Sequence, residues 1–195
     1  MTNGLVQIAD LSPYPRPSGG TRTYHAMIKA TGSICNLDCT YCYYLHKQEM
    51  LGSPSKFRIT DEILETHIQQ YIEGQDRDQV VFSWQGGEPT LLGIEFFEKV
   101  VELEKKYKKP GQRIENDLQT NGTLLNDAWG AFLKKHNFLV GLSIDGPEEL
   151  HDRYRDGEPG LNYLCTGLQK FWRNIDNDAR DICLRLAQGK PLRRA

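Results

Sequence analysis

Three of the chain's five cysteines fall within eight residues, Cys35-Asn36-Leu37-Asp38-Cys39-Thr40-Tyr41-Cys42. Three residues separate the first pair and two the second. A loop this short can wrap its sulfurs around one soft centre, and thiolates select zinc, copper(I) or iron–sulfur clusters. A cubane cluster normally takes four thiolates, so three leave one iron with an open position where chemistry can occur. The same thiols completed by His46 would instead make a closed Cys3His zinc site, a structural module with no chemistry of its own. In either case a rigid scaffold must present the loop. Cysteines clustered in this way do not form a disulfide framework, and they suit a reducing, cytoplasmic setting.

With 195 residues the chain can form one domain with a sizeable core. Residues 1–23, with Pro13, Pro15, Pro17, Gly19 and Gly20, read as an irregular lead-in. Tyr24 to Ala30 reads as a first strand, followed at once by the cysteine loop. Residues 47–58 form a loop, and Thr60 caps a helix whose apolar stripe includes Ile63, Leu64, His67, Ile68, Tyr71 and Ile72 and ends at Gly74. His67 belongs to that stripe as a satisfied core or boundary residue rather than a ligand. Val80 to Trp84 is a short apolar strand of the kind buried in parallel sheets. A helix from Glu95 to Tyr107, a strand from Ile114 to Leu118, a helix capped by Asn126 and running to His136, and a strand from Phe138 to Ile144 follow.

Strands alternating with helices imply right-handed βαβ units and a parallel sheet. The unusual loops, namely the cysteines, Gln85–Pro89, Gln119–Gly122 and Ser143–Pro147, all follow the C-terminal ends of strands, the edge where parallel α/β folds bind ligands. A formal net charge of −2 gives no electrostatic case for nucleic acid or an anionic membrane surface. The sequence has no run long and apolar enough for a membrane span and no secretory signal at its start.

These segments resemble the radical S-adenosylmethionine superfamily: Cys35-x3-Cys39-x2-Cys42 with Tyr41 before the third cysteine, and the Gly86-Gly87-Glu88-Pro89 turn after the second strand. Trp84 to Leu91, Gln119 to Gly122, Gly141 to Pro147 and His151 to Arg155 are similar to segments of the anaerobic sulfatase-maturing enzymes. The resemblance implies an α/β fold, a partial (β/α) barrel with about four of six β/α units present, over residues 24–155. It implies a [4Fe–4S] cluster on Cys35, Cys39 and Cys42 whose fourth iron chelates S-adenosylmethionine. Gly86 and Gly87 would let backbone approach the methionine amino group, and Glu88 would set that turn or accept from the ammonium. Tyr41 would lie by the adenine, Ser143 would bond the ribose or methionine moiety, and Arg155 would meet the methionine carboxylate. The reaction implied is oxidation of a sulfatase cysteine or serine to formylglycine, with a reductant such as flavodoxin or ferredoxin.

The recognisable motifs stop at Arg155, and residues 156–195 read as a divergent tail in which Cys165 and Cys183 are free thiols and the Arg193-Arg194 end is a frayed terminus. No counterpart of the family's later acidic catalytic residue is recognisable. Four strands would leave an unpaired edge and an uncovered apolar face. A catalytically inactive remnant acting by binding or regulation therefore stands beside the enzyme reading and the zinc module.

Overall fold

The computed structural model describes residues 23–44 and 58–155. Four parallel strands lie in chain order: β1 Met27–Ile28, β2 Gln79–Trp84, β3 Arg113–Thr120 and β4 Leu139–Leu142. They are connected through α1 Asp61–Gly74, a 3-10 turn Pro89–Leu92 with α2 Ile94–Tyr107, and α3 Asp127–Lys135, and α4 Glu148–Tyr154 closes the described part. The expected partial (β/α) barrel is present. The expectations for residues 1–22, 45–57 and 156–195, including His46, Cys165 and Cys183, lie outside the described residues.

The helices begin where the sequence supplies caps. Thr60 accepts from the Ile63 N–H and Asn126 from the Trp129 N–H, each satisfying a donor that the first helical turn leaves open. The strand register then sorts side chains by face. Ile28, Trp84, Leu118 and Val140 pair in one row across the sheet and pack against the helices. Trp84 meets Phe97 edge-on at 5.5 Å and Phe97 meets Trp129 at 5.6 Å, so the aromatic core joins β2, α2 and α3.

The neighbouring row, Met27, Ser83, Asp117 and Leu139, points to the other face. That face was expected to be apolar and uncovered; it is largely polar instead. His25 Nε2 lies 2.8 Å from Ser83 Oγ, which donates to Asp117 at 2.5 Å, and Gln79 donates to Glu115 at 2.7 Å. Only Met27 and Leu139 (72% exposed) present large apolar surface in this row. Alternation of buried and more exposed positions along β3 is why: the polar Glu115, Asp117 and Gln119 face this side, while the buried Asn116, Leu118 and Thr120 face the helices. The edge is as expected, since β4 pairs with β3 alone among the described residues.

The first strand is shorter than its sequence reads. Its preceding backbone is engaged by side chains of α1 and of the residue that caps it: Ala26 N–H donates to the Tyr71 hydroxyl, and Gln75 donates to the Tyr24 carbonyl at 2.8 Å. Strand β3 is longer, reaching Thr120, because its last residues pair with β4. His67 stacks on Tyr71 at 5.7 Å, with burial lowering its pKa. It is packed but not satisfied, since Nε2 finds no hydrogen-bond partner among the described residues.

Behind the sheet, Trp84 donates to Asn116 at 2.8 Å, and Asn116 donates to Glu104 of α2 at 3.0 Å. Burial pushes the Glu104 carboxyl up to about 8, against 4.5 for a free glutamate. The unfolded chain releases this proton from pH 4.5 upward while the fold retains it to about 8. The group's contribution is therefore fully present below pH 4.5 and is lost as pH rises through 8, with a slope of at most about 1.4 kcal/mol per pH unit. Glu104→Gln removes that slope. Urea unfolding at pH 5, 6.5 and 8 will show stability declining less steeply in the variant than in the wild type; parallel profiles contradict the assignment.

Candidate functional site

The site forms where the four strands end. After β1 the chain turns at Gly32 (φ 61°), with Gly32 N–H on the Lys29 carbonyl at 2.9 Å, and delivers the cysteine loop to the rim. After β2, Gly86 and Gly87 take φ values of 90° and 54°, a region unfavourable to residues with a Cβ. Their neighbours give a second reason for glycine. A Cβ on Gly86 would lie 2.8 Å from Lys29 Cγ, and one on Gly87 would fall on the Ile34 carbonyl oxygen. Gly86 thus makes room for the Lys29 side chain and Gly87 for the backbone entering the cysteine loop, a turn role that stands beside the ligand approach the resemblance implies.

Glu88 is 1% exposed, and four donors converge on its carboxylate. Oε1 accepts from Thr90 N–H at 3.0 Å, Thr90 Oγ1 at 2.5 Å and Thr120 Oγ1 at 2.7 Å; Oε2 accepts from Asn121 N–H at 2.7 Å. Its own N–H donates to the Ile34 carbonyl at 2.8 Å. Of the two roles weighed for Glu88, the geometry supports turn-setting: this side chain ties the glycine turn to the end of β3, while its backbone holds the entrance to the cysteine loop.

The far side of the loop is held from β4 and α4. Thr40 N–H donates to the Tyr154 carbonyl at 2.9 Å, and the Tyr41 hydroxyl donates to Asp145. Arg155 grips the same carboxylate through Nε at 2.8 Å and Nη2 at 3.1 Å, with its guanidinium 5.7 Å from the Tyr41 ring centroid. The Arg155 side chain is only 12% exposed, so it belongs to the rim rather than the open surface. Burial and the bond to Asp145 push the Tyr41 phenol up to about 12, which keeps it a donor. Burial alone would raise Asp145; the bonds from Arg155 and Tyr41 outweigh it and lower its pKa.

All nine residues singled out from the sequence, namely Cys35, Cys39, Cys42, Tyr41, Gly86, Gly87, Glu88, Ser143 and Arg155, line one cavity of about 290 Å³. Gln85, Gln119, Thr120 and Asn121 line it too. Their loops had been noted but not the residues themselves. Gln119 donates to Ser143 Oγ at 2.9 Å and Asn121 Nδ2 lies 3.7 Å from Cys35 Sγ, contacts across strands that spacing along the chain does not reveal. Desolvation raises the pKa of Cys35 and of Cys39. The zinc reading requires His46, which lies outside the described residues.

Replacing Glu88 by Gln sets an amide N–H₂ against at least one of the four donors. We expect Glu88→Gln to lose about 2–3 kcal/mol in urea unfolding, the range for breaking hydrogen bonds to a buried charge. A loss below about 0.5 kcal/mol would show that the carboxylate does not join the rim.

Comparison with known proteins agrees with this geometry. The radical SAM superfamily profile matches residues 30–177, continuing past Arg155, where the recognisable motifs stop. A serine-type anaerobic sulfatase-maturating enzyme of Bacteroides thetaiotaomicron is 44% identical over 160 residues, covering 80% of this chain and 37% of that protein. A cysteine-type enzyme of Clostridium perfringens is 42% identical over 145 residues, covering 74% and 37%. A solved structure described as native anSMEcpe with bound AdoMet superposes with a TM-score of 0.68 at 38% identity, covering 76% of this chain and 41% of that one. The chain thus spans a little over a third of the length of the curated relatives it matches. On the profile match and the cysteine-lined rim together, the chain belongs to the radical SAM superfamily, whose members work with a [4Fe–4S] cluster and S-adenosylmethionine.

Proposed function

We propose that Cys35, Cys39 and Cys42 hold a [4Fe–4S] cluster, that S-adenosylmethionine occupies the adjoining cavity, and that the chain takes part in oxidising a cysteine or serine side chain of a protein substrate. The observation that carries this is the convergence of residues from four separate loops on one cavity. The residues present fit the group. Three soft sulfurs share one loop, and Cys35 Sγ already accepts from the Leu37 N–H at 3.4 Å, as cluster thiolates commonly do.

Held there, a reduced cluster would supply one electron for cleaving the sulfonium of S-adenosylmethionine, and the resulting 5′-deoxyadenosyl radical chemistry would act on a substrate Cβ–H bond. The chain positions and encloses. Gly86 and Gly87 present bare backbone to the cavity. Tyr41, fixed through its hydroxyl, offers a ring face for the adenine. Ser143 Oγ, which accepts from Gln119, lines the cavity and would bond the ribose or methionine moiety. Asp145 occupies the Nε and Nη2 positions of Arg155, so the guanidinium meets the methionine carboxylate through its Nη edge.

The relatives include both serine-type and cysteine-type enzymes at nearly equal identity, so the reading extends to a Cys or Ser side chain of a sulfatase-like peptide and not to one of the two. A related solved structure carries AdoMet together with the Cp18Cys peptide, which supports a peptide substrate. Flavodoxin or ferredoxin is the reductant class, and a reducing cytoplasm the setting, that this chemistry calls for. No helix among the described residues is long and apolar enough to cross a membrane.

Anaerobic reconstitution with iron and sulfide, then S-adenosylmethionine and dithionite, tests the reading. We expect about four irons per chain and 5′-deoxyadenosine, both lost in Cys39→Ala. A full cluster without 5′-deoxyadenosine would assign the chain to a binding remnant, and one zinc lost on His46→Ala would assign it to a structural module. Arg155→Lys is expected to weaken S-adenosylmethionine binding about tenfold, since one ammonium cannot reproduce a bidentate contact. Unchanged affinity would remove Arg155 from the ligand's carboxylate.

A further inference from the structure

Asn121, at the C-terminal end of β3, has every hydrogen-bonding position of its side-chain amide engaged. Oδ1 accepts from Thr123 N–H at 3.0 Å and from Thr123 Oγ1 at 2.8 Å. Nδ2 donates to Asn36 Oδ1 at 2.9 Å and lies 3.7 Å from Cys35 Sγ, within reach of a weak N–H···S bond. A backbone N–H facing Oδ1 fixes which end of the amide is oxygen, so the nitrogen must point at the sulfur. The residue is anchored as well, its own N–H on Glu88 Oε2 at 2.7 Å. Asn36, the neighbour of Cys35, is held in turn by Thr123 Oγ1 at 2.7 Å.

The geometry points to Asn121 as a positioning residue that donates to the Cys35 sulfur and thereby sets the reduction potential of the cluster. This rests on the proposal that Cys35 is a cluster ligand. Adding an electron increases negative charge on the thiolate sulfurs, so an N–H dipole aimed at one of them stabilises the reduced form more than the oxidised form. The donor raises the potential and makes the cluster easier to reduce. The Thr123 backbone N–H and Asn36 keep the amide aimed, and Glu88 fixes its height on the rim.

The test uses the reconstituted 195-residue chain and reads the midpoint potential by spectroelectrochemical titration, with iron content and the visible spectrum recorded on each sample. Asn121→Leu keeps the branched shape and removes the donor; Asn121→Asp keeps the Thr123 contacts and cannot donate when ionised. Thr123→Val deletes two bonds of the network but leaves the amide beside the sulfur. We expect the potential to shift negative in both Asn121 variants and to stay at the wild-type value in Thr123→Val. In reduced wild-type protein labelled with ¹⁵N at asparagine side chains, a hyperfine coupling to that nitrogen is expected as a second, mutation-free readout. A loaded Asn121→Leu variant with the wild-type potential overturns the proposal. If that variant takes up no iron, absence of the ¹⁵N coupling in wild type overturns it and presence supports it. A wild-type chain that assembles no four-iron cluster defeats the underlying reading, and this inference with it, so the two failures are distinguishable.

Discussion

A single buried carboxylate joins the parts of this rim. Glu88 directly follows the Gly86–Gly87 turn, and water does not reach it to solvate the charge. An ionised carboxylate in that position is tolerable only if protein donors replace the lost hydration. The four donors come from the 3-10 turn and from the end of β3, so satisfying the charge forces two strand ends into one arrangement. The backbone N–H of the same residue then holds the Ile34 carbonyl, one residue before the first cysteine. The cysteine loop is therefore located by the fold before any cofactor binds.

From that joint the two sides of the loop are secured differently. The Cys35 side rests on amides: the Leu37 N–H, Asn121 and Asn36. The Cys42 side rests on charge: Asp145 is shared between Tyr41 and Arg155, with Thr40 bound to the backbone at the end of α4. Amide donors suit a sulfur that gains negative charge on reduction. A guanidinium held by a partly buried ion pair suits the side where the proposed ligand's carboxylate would have to be matched. The polar face of the sheet below the rim, with His25, Ser83 and Asp117 in contact, continues the same polar surface away from the cavity.

Much of this was legible in the chain because the relevant signals are local. The cysteine spacing, the caps at Thr60 and Asn126, and the short apolar run of β2 each reflect physics acting within a few residues. Convergence of the four loops followed from topology alone, since every one of them trails a parallel strand. What remained hidden was non-local. Glu88 reads in sequence as a possible ligand contact because its Thr120 and Asn121 donors lie more than thirty residues away. Gly87 reads as room for a ligand because nothing along the chain shows the Ile34 carbonyl pressed against it. The polar inner face was missed for a related reason: β3 was read as a weak, short strand, and its alternating charges have a side only once the register with β2 and β4 is set.

The central claim is that three thiols leave one iron of a four-iron cluster open toward a cavity that accepts S-adenosylmethionine. Electron paramagnetic resonance of the reduced protein, recorded before and after adding S-adenosylmethionine, addresses it most directly. The account predicts a four-iron signal whose g-values shift on addition, because the ligand binds at the open iron. A reduced cluster signal unchanged by saturating S-adenosylmethionine, or no cluster signal from a zinc-loaded chain, would contradict it.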